Sequence, residues 1–221
     1  MNKIYNEITI ITVLYNSSEI VENFFDSLKN FKIIVVDNGK NEKILDKIQN
    51  FKNIQVISKN KNLGYGRAIN FAFENVSTNF FLVLNPDLTI DVNSIENMLN
   101  IFNQYSDCGI VAPVTVPDKD FYGAFPERNL KNVDSSSAIK SRELLLNSKI
   151  EGELCVDVAK GCALLISAKH FKNIGKFDEK YFLFWEEIDL CRKSRSKKNS
   201  VIVTPKSKAQ HNQGKSSRSN I

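Results

Sequence analysis

The chain has 221 residues, 42% of them hydrophobic and 25% charged, with a formal net charge of +5. Domains run to roughly 100–200 residues, so one folded unit over 1–221 is expected, read as two halves, 1–112 and 113–221. The 15 Phe and 6 Tyr exclude a disordered chain, and only 9 Gly and 4 Cys exclude collagen-like and disulfide-scaffold classes.

Ile8–Leu14 is a continuous β-branched apolar run, the pattern of a strand buried on both faces. The polar start before it predicts no signal peptide, and no apolar run reaches the roughly 18 residues needed to span a bilayer. Ser17 and Ser18 can cap a helix carrying Ile20, Val21, Phe24, Phe25 and Leu28 at helical spacing. Lys32–Val36 is a second buried strand, closed by the turn signal Asp37-Asn38-Gly39. Glu42–Phe51 has the pattern of a short helix, and Ile54–Ile57 of a third strand. The loop Asn62-Leu63-Gly64-Tyr65-Gly66 opens onto a helix ending near Asn75. Phe80–Leu84 is a fourth strand, stopped by Asn85-Pro86-Asp87. Asp91 or Asn93 caps a helix running to about Tyr105, and Gly109–Ala112 is a short fifth strand.

The second half is less regular. Pro113–Ser137 reads as loops with one short strand near Phe121–Phe125. Leu154–Ile166 holds two strand-like pieces broken at Gly161. Glu186–Lys198 reads as a helix and Val201–Thr204 as a strand. Strands separated by helices imply parallel pairing with right-handed crossovers, hence an α/β, doubly wound, mostly parallel sheet. Ligands of such sheets bind at the carboxyl ends of the strands.

Charge and thiols narrow the partners. After Asp189 come Arg192, Lys193, Arg195, Lys197, Lys198, Lys206, Lys208, Lys215 and Arg218, with no acid, while the rest of the chain is net negative. These are either a solvated face and a frayed tail, or an attraction to phosphates on a substrate or at a membrane surface. No aromatics interleave with these lysines, so nucleic acid is not expected as a partner. Cys108, Cys155, Cys162 and Cys191 contain no CxxC pair, and with only His170 and His211 a structural zinc site is not expected. Free thiols in a reducing cytosol are the plain expectation.

Neither a GxGxxG after the first strand nor a P-loop is present. Asp37, at a strand end, is either a turn former or an acceptor for the N3–H of a uracil or thymine ring. Asp87 either caps a turn or holds a hard divalent cation beside a diphosphate. In Phe182-Leu183-Phe184-Trp185-Glu186-Glu187-Ile188-Asp189-Leu190, three carboxylates lie among large apolar side chains. Desolvation by Phe, Phe and Trp would raise a carboxylate toward the range useful to a general base. The alternative is an amphipathic helix start that favours acids. The three acids cannot share one helical face, so at least one is expected to be structural.

Seven motifs stand in order along nearly the whole chain. They are Tyr15-Asn16-Ser17, Val36-Asp37-Asn38, Asn62-Leu63-Gly64 with Asn70, Leu84-Asn85-Pro86-Asp87, Gly175-Lys176-Phe177-Asp178-Glu179, Glu186-Glu187-Ile188-Asp189-Leu190 and His211. The set resembles the family 2 glycosyltransferases, in particular their bacterial rhamnosyltransferase-like branch. The resemblance implies a GT-A fold with a nucleotide-sugar-binding first half and an acceptor-side second half. It implies an inverting, Mg²⁺- or Mn²⁺-dependent transfer of rhamnose or another hexose from a UDP- or dTDP-sugar to a bacterial surface glycan. By the family pattern Asp37 reads the pyrimidine, Asp87 and His211 hold the metal, and Glu187, beside Glu186, is the base. Tyr15, Asn16, Asn62, Gly64, Arg67, Asn70 and Asn85 fall on the nucleotide-sugar motifs. A lipid-linked glycan acceptor, a cytoplasmic location and peripheral contact of the basic end with an anionic inner membrane face follow from the same resemblance. The chain departs from it at Glu187, where Asp is usual, and at Arg67, where small residues are commoner. Rival readings are a sugar nucleotidyltransferase, whose Gly-rich N-terminal loop is missing at Leu14–Ser18, and a non-catalytic nucleotide-sugar binder.

Overall fold

The computed structural model describes residues 3–16, 21–39, 42–116 and 152–211. In chain order the helices are α1 (Ile4–Glu7), α2 (Val21–Ser27), α3 (Glu42–Ile48), α4 (Tyr65–Phe73), α5 (Val92–Gln104), α6 (Ala168–Asn173) and α7 (Glu186–Ser196). The strands are β1 (Ile8–Leu14), β2 (Lys32–Asp37), β3 (Ile54–Ser58), β4 (Phe80–Leu84), β5 (Leu88–Ile90), β6 (Cys108–Val116), β7 (Leu154–Cys155), β8 (Ala163–Ser167) and β9 (Ser200–His211). The expected caps Ser17 and Ser18 and the expected strand near Phe121–Phe125 lie outside the described residues.

The nine described strands form one sheet in the order β3-β2-β1-β4-β8-β6-β9-β5, with β7 also paired to β9. β3, β2, β1 and β4 run parallel, as short strands joined by helical crossovers must. β8 enters antiparallel between β4 and β6. β6 and β9 are parallel again. The architecture is therefore the mixed, mostly parallel α/β sheet of the GT-A type.

The apolar runs divide their side chains between two cores. Ile33, Val35, Leu82 and Leu84 face a cluster with Phe24 and Phe25 of α2, Ile44 and Ile48 of α3 and Ile95 and Met98 of α5. Ile34, Val36, Phe81 and Val83 face the other cluster, with Ala68, Ile69 and Phe73 of α4, Phe171 of α6 and Leu190 of α7. A strand alternates its side chains, so a continuous apolar run fits only a sheet covered on both faces.

Five elements differ from the sequence reading. α1, β5 and α6 were not expected. β6 and β9 are far longer than Gly109–Ala112 and Val201–Thr204. β9 continues past Pro205 because its register against β6 jumps from Thr204 to Lys208, opposite Pro113 and Val114. Such an irregularity absorbs a proline that an unbroken ladder would reject. The skipped residues are fastened to α5: Ser207 Oγ donates to the Ser94 carbonyl at 2.7 Å, and Asn97 Nδ2 donates to the Lys206 carbonyl at 2.9 Å.

Candidate active site

The carboxyl ends of β1, β2 and β4, the loop before α4, and the start of α7 supply the candidate residues. At the first two strand ends, Leu14 and Asp37 are register partners. Asp37 Oδ1 accepts the Gly39 N–H at 3.3 Å. A methyl group on Gly39 would stand 3.0 Å from the Tyr15 ring and 3.2 Å from Asn16 Oδ1. Glycine therefore lets Tyr15 and Asn16 lie against the turn that follows Asp37. Asn16 takes left-handed backbone, with φ of 50°, which asparagine tolerates better than most residues.

Asn38, 4% exposed, clamps the next loop. Its Nδ2 donates to Asn62 Oδ1 at 2.8 Å, and its Oδ1 accepts the Leu63 N–H at 2.7 Å. Asn62 Oδ1 also accepts the Gly64 N–H at 2.9 Å. Asn62 thus shapes its own loop. Gly64 has φ of +79°, and a Cβ there would lie 2.2 Å from the Phe182 carbonyl oxygen. That carbonyl accepts the Tyr65 N–H at 2.9 Å. Both the backbone and the close approach require glycine.

Asn70 is buried and turned to the second half of the chain. Its Nδ2 donates to the Phe177 carbonyl at 3.0 Å and its Oδ1 accepts the Phe177 N–H at 3.1 Å. Arg67 is exposed and pairs with Glu179, Nε to Oε2, at 3.0 Å. The structure thus gives Asn62, Asn70 and Arg67 protein partners of their own.

Asp87, which follows β4, is 3% exposed. Strand pairing brings His211 to it: Leu88 of β5 is the register partner of His211. The sequence reading ended the last strand at Thr204, short of His211. It is instead the last residue of β9, one register step from Asp87.

Glu186 and Glu187 open α7. Glu186 is 4% exposed, and its Oε2 has no hydrogen-bond partner among the described residues. Burial, opposed by a backbone hydrogen bond and reinforced by Glu187, pushes its carboxyl up to about 6. The expected source of that burial is corrected. Phe182, Phe184 and Trp185 are 57%, 65% and 65% exposed, so they do not enclose the acids. Glu186 instead stands over α4, where a methyl group on Gly66 would come within 3.5 Å of its Cβ and 3.0 Å of that of Phe177. Glu187, half-buried, packs on Gly161, whose added Cβ would stand 3.1 Å from its own. Asp189 is the structural acid of the three, paired with Lys193 one helical turn on at 2.8 Å.

Tyr65 escaped the sequence reading. Its hydroxyl lies 2.7 Å from Asn85 Oδ1 and 2.9 Å from the Gly161 carbonyl oxygen. Burial, then Cys162 and the carboxylates of Glu186, Glu187 and Asp87, push its hydroxyl well above the usual tyrosine range. It stays protonated and ties the end of β4 to the loop that Glu187 packs on. Its one signal in the sequence was its place between Gly64 and Gly66.

Residues 9–166 match the family model described as Glycosyl transferase family 2. The chain belongs to that family. Among curated relatives, this family 2 chain is 26% identical over 217 residues to the low-salt glycan biosynthesis hexosyltransferase Agl10 of Haloferax volcanii, covering 94% of this chain and 68% of that one. It is 24% identical to the N-acetylglucosaminyl-diphospho-decaprenol L-rhamnosyltransferase of Mycobacterium tuberculosis, covering 82% and 68%. The structure is similar to that of GalNAc-T7 with UDP, GalNAc and Mn²⁺, with TM-score 0.73, 13% identity, and 94% of this chain against 44% of the other covered. It is also similar to the mannosyltransferase PcManGT of Pyrobaculum calidifontis in complex with GDP-Man and Mn²⁺, with TM-score 0.70, 12% identity and 94% against 58% covered. The chain thus spans about half the length of these solved relatives.

Proposed function

We propose that this family 2 glycosyltransferase moves rhamnose or another hexose from a UDP- or dTDP-sugar to a hydroxyl of a surface glycan, with inversion, and that Glu187 is the general base. One observation carries the reading. Pairing of β5 with β9 sets Asp87 beside His211, while Tyr65 ties the same strand end to the loop beneath Glu187. That arrangement supports assigning charge neutralisation and proton removal to one end of the sheet.

Among the described residues no cluster of three His, Cys, Asp or Glu side chains forms a metal cage. A buried carboxylate with one imidazole nevertheless suits Mg²⁺ or Mn²⁺, which take few protein ligands when substrate phosphates supply the rest. Asp87 and His211 would hold the ion. Its chemistry there is Lewis-acid neutralisation of the departing nucleoside diphosphate. Asp37 accepts the pyrimidine N3–H, with Tyr15 and Asn16 beside it. Asn62, Gly64 and Asn85 keep the backbone that faces the donor in shape, and Asn70 and Arg67 hold the second half against it. Glu187, half-exposed and next to the more deeply buried Glu186, takes the acceptor's proton as its oxygen attacks the anomeric carbon. The acceptor is a glycan or lipid-linked glycan, a reading supported by the mycobacterial relative, which is an N-acetylglucosaminyl-diphospho-decaprenol L-rhamnosyltransferase by name.

A donor panel tests the reading. UDP-, dTDP- and GDP-sugars are incubated with the protein and Mn²⁺, Mg²⁺ or chelator, and the released nucleotide is measured. Release from UDP- or dTDP-sugar that is lost with chelator and in Asp87→Ala is expected. Tightest binding of GDP would remove the role given to Asp37, and chelator-insensitive turnover would remove that of Asp87 and His211.

A further inference from the structure

The outward face of α4 carries a groove of about 380 Å³, apart from the strand ends. Arg67, Asn70, Phe71 and Glu74 line it at helical spacing, on the side of the helix opposite Tyr65. The loop after β3 and the segment before α7 form its walls. Four cations, Lys59, Lys61, Arg67 and Lys176, stand there against two acids, Glu74 and Glu179. Of the residues that flank the lining, Asp178 is offset by Lys180, and Lys172 adds a cation 5.6 Å from the centre of the Phe73 ring. The groove is therefore positive overall.

Both acids are taken up in holding cations in place. Glu179 Oε2 accepts from Arg67 Nε at 3.0 Å, its Oε1 accepts from Asn70 Nδ2 at 3.3 Å, and its carbonyl accepts from Arg67 Nη2 at 3.1 Å. The guanidinium is thereby fixed, and its Nη1 amino group is left for another acceptor. Glu74 pairs with Lys176. Lys59 and Lys61 carry the surplus charge. Lys59 Nζ lies 4.5 Å from the centre of the Phe71 ring, and neither lysine has a carboxylate partner among the described residues. Two unbalanced ammonium groups beside a pre-placed guanidinium suit an anion. The ring of Phe71 is covered by Lys59, so no bare aromatic face remains for a nucleobase to stack on. The volume is that of a small-molecule site, larger than a bare phosphate needs, and buried Leu63 with Phe71 gives it an apolar part. A sugar ring that carries an anionic group meets all of these conditions.

We infer that this groove binds an anionic sugar, a phosphate- or carboxylate-bearing unit of a glycan, with Lys59, Lys61 and Arg67 on the charged group. The inference rests on the proposed transfer for its use, and deepens it by making the acceptor an acidic glycan. A helix with its side chains is about 10–12 Å across. A unit bound on the far side of α4 from Tyr65 is therefore not the one whose hydroxyl reacts, and the groove reads the acceptor at a distance from the chemistry.

The full chain, isotope-labelled, is titrated with glucose-6-phosphate, glucuronate, inorganic phosphate and glucose, and the amide resonances of Lys59, Lys61, Leu63 and Phe71 are followed by NMR. Saturable shifts with the two charged sugars and none with glucose are expected. The tighter of the two identifies the group as phosphate or carboxylate. The double variant Lys59→Gln, Lys61→Gln replaces two exposed side chains, so its thermal melt should match that of the parent. It should bind the charged sugars at least about tenfold more weakly, the order of one lost charge-assisted hydrogen bond. Equal shifts with glucose, or unchanged affinity in the variant, would overturn the inference. Inorganic phosphate binding as tightly as glucose-6-phosphate would overturn it in favour of a free anion. Displacement of the charged sugar by UDP would overturn it by making the groove part of the donor site. The titration needs neither metal nor turnover. Charged-sugar binding by a protein that fails the donor panel therefore refutes the enzymatic reading alone, and a working donor panel without such binding refutes this inference alone.

Discussion

The stretch from β1 to β4 and the stretch from β7 to β9 use the same sheet differently. In the first, each strand pairs in parallel with a neighbour through a helical crossover, and Asp37 and Asp87 follow or end strands buried on both faces. In the second, β8 inserts antiparallel between β4 and β6, and the acids sit at the start of a helix reached through an irregular segment. That segment is held to the first stretch by a few polar contacts at Tyr65, Arg67 and Asn70. On the proposed function, the difference gives donor binding to the strand ends of the first region and makes transfer depend on how well the seam is closed.

The largest effect should come from separating these two tasks. Glu187→Gln should leave donor affinity unchanged by calorimetry and lower transfer by about 10²–10⁴. An active Glu187→Gln with a dead Glu186→Gln would move the base by one residue. Gly64→Ala attacks the seam. With φ of +79° and a Cβ 2.2 Å from the Phe182 carbonyl, it should cost roughly 3–5 kcal/mol in urea denaturation. A loss under about 1 kcal/mol would show that the segment closes independently of this loop.

Asn70→Ala leaves the buried Phe177 N–H and carbonyl without their present partners and should cost about 2–3 kcal/mol. Glu186→Gln works the other way. Its carboxyl is raised from the ordinary 4.5 to about 6 by burial, so its stabilising contribution is complete below pH 4.5 and gone above pH 6. The glutamine variant should therefore be more stable at pH 7 by about 2 kcal/mol, with the gain vanishing toward pH 4. Thermal melts across that range check it, and a pH-independent difference would contradict the cause assigned. Tyr65→Phe is the smallest change, about 1 kcal/mol in stability. If the hydroxyl aligns the two halves, kcat should fall with donor Kd unchanged. Equal kcat would leave it as packing.

Much of the first region was legible in the chain. Ile8–Leu14 and Phe80–Leu84 are strands over the spans their apolar runs mark, and Asp91 is the cap of α5, accepting the Ser94 N–H at 2.6 Å. Local signals sufficed because these elements are dictated by burial on both faces and by capping. β9 was read too short because Pro205, Lys206, Ser207 and Lys208 look like a break. The break is real, yet α5 and β6 carry the strand across it. The basic end looked uniformly positive for a related reason: the acids that neutralise part of it lie before it in the chain, at Glu153, Asp157 and Asp189.

By itself the sequence determined the family and the α/β alternation, and it supplied the acids and the histidine proposed to carry the chemistry. Those depend on residue type and order, which a one-dimensional pattern preserves. Tertiary structure alone decided that His211 lies one register step from Asp87, and that Tyr65 spans from Asn85 to Gly161. It also decided that Glu186 is buried by α4, while the aromatics beside it in the chain face outward. Burial and strand register are set by what packs from far along the chain, so neighbours in sequence carry little information about them.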